Sequence, residues 1–270
     1  MNASTRAGEI VNIISFALFG TNPAYRDGLQ QNVEAARHTF PGWHILVYCD
    51  RVNFDALHTL ALPNTTILLQ KERSEGVEGM IWRFLAAAHP DADAVIFRDT
   101  DSILTHREKR AVDEWLASDK DVHRIRDHPM HISPVMGGMF GVRGASKGLL
   151  ATLIEQGLKT GKLVNYGDDQ RFLSSQFYPR IKRQALVHTS LIKYVFEYAL
   201  PLPPEAAGES FIGAYFRNRS DEENQRLDAL KAQARPMTLM PYSWERKPIL
   251  KVLFKRLRIK GITYRCGHCL

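Results

Sequence analysis

The sequence has little cysteine and no long apolar run. Three cysteines, Cys49, Cys266 and Cys269, occur among 270 residues, too few for a framework of disulfide bonds, so a reducing, cytoplasmic setting is expected. A membrane-spanning helix needs roughly 18 apolar residues in a row, and no stretch reaches that length. The run from Ile10 to Gly20 contains polar residues and is followed by no small-residue cleavage site, so it is predicted to be a buried first strand rather than a signal sequence.

Basic charge is also missing from most of the chain. The net charge is +7, and eight Lys and Arg residues against one Glu place that excess within residues 245–270. A basic field spread over the whole protein, as nucleic-acid binding requires, is therefore excluded. With 44% hydrophobic and 10% aromatic residues, the composition is typical of a globular protein with a sizeable core.

The basic tail has a helical pattern. Its apolar residues recur at i, i+3, i+4 and i+7 among Lys and Arg: Leu250, Leu253, Phe254 and Leu257. This pattern predicts a basic amphipathic C-terminal helix, with residues 248–260 lying on an anionic membrane surface. The alternative is a terminal helix that docks on the protein with a solvated basic face. Two parts are thus expected, a domain over 1–244 and a tail over 245–270.

Between residues 10 and 100, short apolar runs alternate with helical patterns, which predicts βα units that feed a largely parallel sheet. The predicted strands there are 10–19, 44–49, 65–69 and 94–97, and the predicted helices begin near Asn22, Glu75 and His106. Further on, we expect strands at 121–127, 135–142 and 185–187 and helices at 146–158 and 168–176. The fold class is therefore α/β, with a mixed sheet flanked by helices.

One Asp-x-Asp pair stands out from its context. Asp99 and Asp101 directly follow an apolar strand, whereas the pairs at 91/93 and 119/121 lie in polar stretches. Ligands bind outside the carboxyl ends of parallel strands, so these two acids are expected to face a crevice. Residues i and i+2 of an extended segment point the same way, so both carboxylates can reach one hard cation. A plain strand-to-helix turn is the alternative interpretation.

The string from Val95 to Ser102 resembles the DxD motif of nucleotide-sugar glycosyltransferases with the GT-A fold. Three more segments match that family in the right order. Residues 136–141 resemble its small-residue strand beneath donor and acceptor, residues 166–170 its acidic helix start, and residues 186–188 its late strand with a metal-binding histidine. The match covers about residues 10 to 216 and is closest to bacterial polysaccharide-type enzymes akin to family 8.

The resemblance implies a GT-A-like, Rossmann-type sheet and a site around a metal ion. Asp99, Asp101 and His188 would be the ligands of Mn²⁺ or Mg²⁺, with Mn²⁺ favoured because imidazole is a poor ligand for the harder ion. The loop after the first strand would hold the nucleobase, the glycines would lie beneath the sugar, and Arg83 and Thr100 would contact phosphate and ribose. The residues implied in donor binding are Ser15, Phe16, Tyr25, Arg83, Thr100, Gly137 and Gly138.

The resemblance further implies that Asp168 or Asp169 orients the sugar or activates the acceptor hydroxyl. The activity implied is hexosyl transfer from a nucleoside diphosphate sugar, with UDP the expected carrier, to a hydroxyl of a glycan or lipid-linked glycan. Bacterial surface polysaccharide assembly would be the setting, and family 8 relatives retain the anomeric configuration.

Plainer interpretations stand beside these roles. Asp168 and Asp169 are both placed to cap a helix, and Arg83 lies off the apolar face of its predicted helix, so a solvated surface position is as consistent. His188 can be a buried, hydrogen-bonded histidine, and the glycines can mark a bulge. Two other functions are also weighed: a haloacid dehalogenase-type phosphatase with Asp99 as nucleophile, and a non-catalytic protein that binds membrane surfaces through its tail.

Overall fold

The computed structural model describes residues 11–72, 77–160, 167–195, 197–206, 209–214 and 221–239. The predicted C-terminal helix and Tyr166 lie outside these residues. The α-helices are α1 (Pro23–Thr39), α2 (Arg51–His58), α3 (His106–Leu116), α4 (Gly144–Lys159), α5 (Asp168–Phe172), α6 (Tyr178–Ile181) and α7 (Asp221–Gln233). A 3₁₀ helix spans Val77–Ala88, and a π-helical turn, Leu173–Phe177, joins α5 to α6.

The strands are β1 (Val11–Leu18), β2 (His44–Asp50), β3 (Thr65–Lys71), β4 (Ala92–Arg98), β5 (Val122–Arg126), β6 (Met139–Arg143), β7 (Ala185–Thr189), β8 (Ile192–Tyr194), β9 (Tyr198–Leu200) and β10 (Met237–Leu239). Eight of them form one sheet in the order β3-β2-β1-β4-β6-β5-β7-β9. Strand β6 runs antiparallel to both of its neighbours, and the other pairings in this sheet are parallel. The predicted α/β class with a mixed sheet flanked by helices is confirmed.

The sheet has two buried faces. On one face the 3₁₀ helix, α4 and the α5–α6 segment pack over Phe97 and Phe140 of the central strands. On the other face α1, α2 and α3 pack over residues that include Ile14, Ile96 and Leu186. Because successive residues of a strand point to opposite faces, neighbours in the sequence end in different cores, which matters for the functional site.

Two local predictions succeed and two fail. Asn22 caps α1, accepting a hydrogen bond from the Ala24 amide at 3.0 Å, and α3 ends within one residue of the expected position. The strand predicted at 135–142 begins only at Met139, and the helix predicted over 75–88 is a 3₁₀ helix. Among the described residues, no helix has the length and apolar content to cross a membrane.

Candidate functional site

The loop that follows β4 carries the Asp-x-Asp pair at the carboxyl end of the sheet. Asn32 of α1 is fully buried and holds this loop at two points: its side-chain amide donates to the Thr100 carbonyl (3.2 Å), and its oxygen accepts from the Leu104 amide (3.0 Å). The Asp99 side chain remains 44% exposed, and Asp101 is half-buried. The loop is therefore fixed from below while Asp99 stays accessible from the crevice.

Arg83 joins two carboxylates that are far apart in the sequence. Its Nη1 donates to Asp99 Oδ1 at 2.7 Å and its Nη2 to Asp169 Oδ2 at 3.0 Å. The residue is 5% exposed, so the solvated surface position considered from the sequence is wrong. The reason is the 3₁₀ geometry: with three residues per turn instead of 3.6, a wheel drawn for an α-helix assigns Arg83 to the wrong side.

Gly137 and Gly138 lie against this cluster. A Cβ on Gly138 would overlap Asp99 Oδ2 and lie 3.1 Å from the Asp99 nitrogen. A Cβ on Gly137 would lie 2.7 Å from Arg83 Nη2 and 2.8 Å from Asp169 Oδ2. Both residues precede β6 rather than lie in a strand, and their missing side chains let the backbone approach the carboxylates closely, one of the recurrent uses of glycine.

Asp168 and Asp169 have different environments, and neither is the helix N-cap. Gly167, in the left-handed conformation, is the N-cap of α5, with no side-chain capping bond. Asp168 forms an ion pair with Arg171. Asp169 Oδ1 is buried without a hydrogen-bond partner, and burial raises the pKa of this carboxyl, opposed by Arg83. Asp169, with an unused acceptor beside Arg83 and Gly137, is the acid that belongs to the cluster.

Tyr25 faces the same mouth from the first turn of α1. It is 36% exposed, and its hydroxyl pKa is raised, first by partial burial and then by the charges of Asp101 and Asp99. An exposed aromatic ring close to both acids is suited to stack on a planar group such as a base. The structure thus brings Tyr25, Arg83, Asp99, Asp101 and Asp169 to one end of the sheet.

Three other residues predicted to contact the donor are not placed to do so. Ser15 and Phe16 lie inside β1, both fully buried, and not in the loop that follows. The Ser15 hydroxyl donates to the Arg83 carbonyl at 2.7 Å, so it fixes the 3₁₀ helix instead. Thr100 is 5% exposed and its carbonyl accepts a hydrogen bond from Asn32, so that carbonyl holds the loop rather than a ligand.

A polar group that the sequence pattern did not single out lies where β1 and β2 end. Asp50 Oδ2 accepts from the Gly20 amide at 2.8 Å, and Asn53 donates to the Gly20 carbonyl at 2.9 Å. Arg26 reaches Asn53 at 3.4 Å. These contacts fix the turn after β1, next to Tyr25 in the sequence. Asp50 could have been found from the sequence, because, like Asp99, it follows an apolar strand directly.

His188 is not brought to the carboxylates. Its Nδ1 is 2.8 Å from Nε2 of His123, and its Nε2 is 2.9 Å from Glu114 Oε2. It shares the sheet face of Leu186, beneath α3, and β7 is three strands from β4, about 14 Å at normal strand spacing. The expected metal ligand is therefore a buried histidine with both ring nitrogens engaged.

The carboxylates at this end of the sheet fit a divalent cation that is coordinated partly by the protein and partly by a substrate. In the described part of the chain, no three His, Cys, Asp or Glu residues are placed to hold a metal ion by themselves. Asp99 and Asp169 nevertheless share one guanidinium, that of Arg83, and Asp101 lies close to Tyr25 together with Asp99. Mg²⁺ in proteins is usually held by one or two carboxylates together with water and substrate phosphates, and Asp99 and Asp101 offer two.

Comparisons with known proteins identify no family. No protein-family model matches the chain, and no significantly similar curated protein was found. Among solved structures, a glycosyltransferase involved in the glycosylation of the major capsid of PBCV-1 is similar with a TM-score of 0.48 and 13% identity, over 81% of this chain and 99% of that one.

Two other solved structures show the same level of similarity. A 4-diphosphocytidyl-2C-methyl-D-erythritol synthase from Anaerococcus prevotii gives a TM-score of 0.47 and 10% identity, over 82% of this chain and 96% of the other. The mannosyltransferase PcManGT from Pyrobaculum calidifontis, in complex with GDP-Man and Mn²⁺, gives 0.43 and 14%, over 72% and 57%. At these scores the function has to be argued from the site itself.

Proposed function

We propose that this protein is a metal-dependent glycosyltransferase that moves a sugar from a nucleoside diphosphate donor, expected to be a UDP-sugar, to a hydroxyl of a glycan or lipid-linked glycan. The observation that carries the proposal is the Asp99–Arg83–Asp169 cluster, with Asp101 beside it, at the carboxyl end of the sheet. Assembly of bacterial surface polysaccharide is the proposed setting.

Asp99 and Asp101 are the proposed ligands of Mn²⁺ or Mg²⁺. When bound there, the cation neutralises the charge that develops on the departing diphosphate. Asp99 Oδ1 is held by Arg83 and its Oδ2 lies against Gly138, so the carboxylate is fixed in orientation before any ligand arrives. A fixed ligand contributes more than a mobile one, because its ordering costs nothing at the moment of binding.

Arg83 is proposed to act on the phosphates of the donor and Asp169 on its sugar or on the acceptor. The buried guanidinium fixes both carboxylates at once, and its positive charge favours the phosphate end of a donor. Asp169 Oδ1, buried and without a partner, is an acceptor for a sugar or acceptor hydroxyl, because an unpaired buried oxygen gains a full hydrogen bond when a donor arrives. Tyr25 is proposed to stack on the base.

The geometry favours this function over the phosphatase. In haloacid dehalogenase-type phosphatases the strand that carries the nucleophile comes early in the fold, whereas Asp99 follows β4, after three earlier strands. Release of phosphate from simple phosphoesters, with trapping of an aspartyl phosphate, would support the phosphatase instead. The tail on which the membrane-binding function rests lies outside the described residues, and its proposed peripheral attachment is tested by comparing liposome co-sedimentation of the full chain and of residues 1–244.

Thermal shift with nucleotides tests the proposal directly. A ligand that binds only the native state raises the melting temperature, so UDP and UDP-sugars are screened against GDP and GDP-sugars, each with Mn²⁺, with Mg²⁺ and with EDTA. We expect stabilisation by a nucleoside diphosphate that depends on the cation and is lost in Asp101→Asn. Absence of cation-dependent stabilisation with every nucleotide overturns the proposal.

The resemblance to family 8 extends the proposal to retention of the anomeric configuration. Once a donor is identified, the configuration of the product can be followed by proton NMR during the first turnovers. A product with the anomeric configuration of the donor agrees with retention, and the opposite configuration rejects this part of the proposal while leaving the transferase activity intact.

A further inference from the structure

Asp127, directly after β5, holds several chain segments together. Its side chain is completely buried and accepts from both terminal nitrogens of Arg107 at the start of α3. Lys231 of α7 lies 3.2 Å from Asp127 Oδ1, and the Ile212 amide donates to Oδ2 at 2.9 Å. One carboxylate thus connects α3, α7 and residues 209–214, here called the strap.

The strap packs against the residue next to the glycine pair. Ile212 and Met139 belong to one apolar cluster, and a Cβ on Gly213 would lie 2.7 Å from Met139 Sδ. Gly213 has φ of +84°, a conformation that most other residues avoid. Met139 follows Gly138, whose backbone touches Asp99. A continuous line of contacts therefore runs from Asp127 through the strap to the carboxylate cluster.

Charge holds α7 in place more than apolar packing does. Most described side chains of α7 are exposed. Its contacts with the rest of the protein include those of Lys231 with Asp127 and Glu205 and a 3.1 Å contact between the Leu227 carbonyl and His128 Nε2. Phe211 of the strap stacks on His128 with ring centroids 4.4 Å apart. Removing the lysine charge should therefore release α7 and loosen the strap.

We propose that Asp127 is a positioning residue for the transfer reaction: by holding the strap and α7 against Met139, it keeps Gly138, and through it Asp99, in the orientation that the chemistry requires. This inference rests on the proposed function. It concerns the geometry of the reacting groups more than the affinity for the nucleotide, because the line of contacts leads to Asp99 and not to Asp101 or Tyr25, the other residues proposed to hold the cation and the base.

Lys231→Met is the main test, with Lys109→Met as the matched control. Lys109 forms an exposed ion pair with Asp113 on α3. Its loss therefore leaves intact the contacts of Asp127 with Arg107, Lys231 and Ile212, here called the clamp. In Lys231→Met we expect faster hydrogen exchange of the Ile212 amide and a decrease of kcat of about 10-fold, since small misplacements of reacting groups cost 10- to 100-fold in rate. The dissociation constant for the nucleotide with Mn²⁺ should change less than kcat, because Asp101 and Tyr25 stay in place. The control should match wild type in all three.

The readouts separate the two proposals. If wild type shows no cation-dependent nucleotide binding, the proposed function fails, whereas the exchange of the Ile212 amide still tests the clamp. Unchanged exchange in Lys231→Met rejects the clamp, and faster exchange with an unchanged kcat rejects the positioning role. A loss of nucleotide affinity as large as the loss of kcat would also overturn the inference, because it indicates general loosening of the site.

Gly213→Ala provides a second route that leaves every clamp charge in place. The added methyl group meets Met139 and the backbone conformation is unfavourable, so we expect the same loss of kcat with a smaller loss of nucleotide affinity. Asp127→Asn leaves two cations poorly compensated in the interior and is expected to fold less well. For that reason it is assayed only as a third variant, after its melting temperature has been measured. Unchanged kcat in a folded Gly213→Ala protein contradicts the inference.

Discussion

The two faces of the sheet each carry a buried group of titratable side chains, and the two groups differ in what they leave unsatisfied. Beneath the 3₁₀ helix, Arg83 is shared by Asp99 and Asp169, acidic charge is in excess, and Asp169 Oδ1 has no partner. Beneath α3, both ring nitrogens of His188 are engaged by His123 and Glu114, and His123 Nδ1 is left without a partner. A set with excess negative charge and an unpaired carboxylate oxygen at the open end of the sheet is prepared for a ligand, whereas two histidines that burial keeps neutral stabilise the fold.

Asp101→Asn is the variant expected to distinguish the roles of the two faces most clearly. We expect at least about a 100-fold loss of transfer, the scale seen when a group that stabilises developing charge is removed, with a melting temperature close to wild type because the side chain is only half-buried. Isothermal titration of UDP with Mn²⁺ measures the loss of binding. Normal activity in this variant would mean that Asp101 is not a metal ligand and would contradict the proposed metal site.

Gly138→Ala should have the next largest effect. Its methyl group overlaps Asp99 Oδ2, so the carboxylate must turn, and we expect a decrease of kcat of about 10- to 100-fold for such a displacement. Gly148→Ala is the matched control, because it lies within α4 with no atom near the added carbon. This control should gain a little stability, up to about 1 kcal/mol. Equal activity of the two variants would show that the close approach to Asp99 is unimportant.

His188→Gln tests the opposite face. Two buried hydrogen bonds are perturbed, so we expect a loss of about 1–3 kcal/mol in the free energy of unfolding, measured by urea denaturation, with the affinity for UDP and Mn²⁺ within about twofold of wild type. This is the reverse of the Asp101→Asn pattern. A stable variant that has lost Mn²⁺-dependent binding would restore His188 as a metal ligand and contradict the comparison.

The smallest expected effect is a change in the pH dependence of stability. Burial lowers the pKa of His123 well below its normal value of 6.5, and burial also lowers the pKa of His188, opposed by Glu114. Below pH 6.5 the unfolded chain binds protons that the native protein does not, so stability is present above that pH and is lost on acidification. His131, with its pKa lowered to about 3, acts in the same sense.

His123→Phe, which keeps a ring on Trp115, should therefore flatten the dependence of the unfolding free energy on pH between 6.5 and 5. One proton fewer lowers the slope by at most about 1.4 kcal/mol per pH unit. Only the slope is compared, since the absolute stability changes for other reasons as well. An unchanged slope would mean that His123 is protonated in the native state.

The sequence predicted those features that depend on local pattern. The strand before Asp99, the Asn22 cap and the carboxyl-end position of the Asp-x-Asp pair all follow from short-range spacing. The prediction for His188 failed because its role depends on which face of the sheet its side chain points to. A shift of one residue along β7 would turn the side chain to the opposite face. The predicted roles of Ser15 and Phe16 failed because both residues lie inside the strand that the sequence itself predicts at 10–19, so they cannot belong to the loop that follows it. The contact between Arg83 and Asp169 joins residues 86 positions apart, and no local pattern encodes such a pairing.

The 3₁₀ helix that carries Arg83 has a consequence for how this chain can vary. Each residue of such a helix turns the next by about 120°, so inserting or deleting a single residue between Val77 and Arg83 would rotate the guanidinium by a third of a circle, away from both of its acids. Relatives of this protein should therefore accept changes of length in the connection after β3 far more readily than within Val77–Ala88, and gaps in an alignment should end where that helix begins.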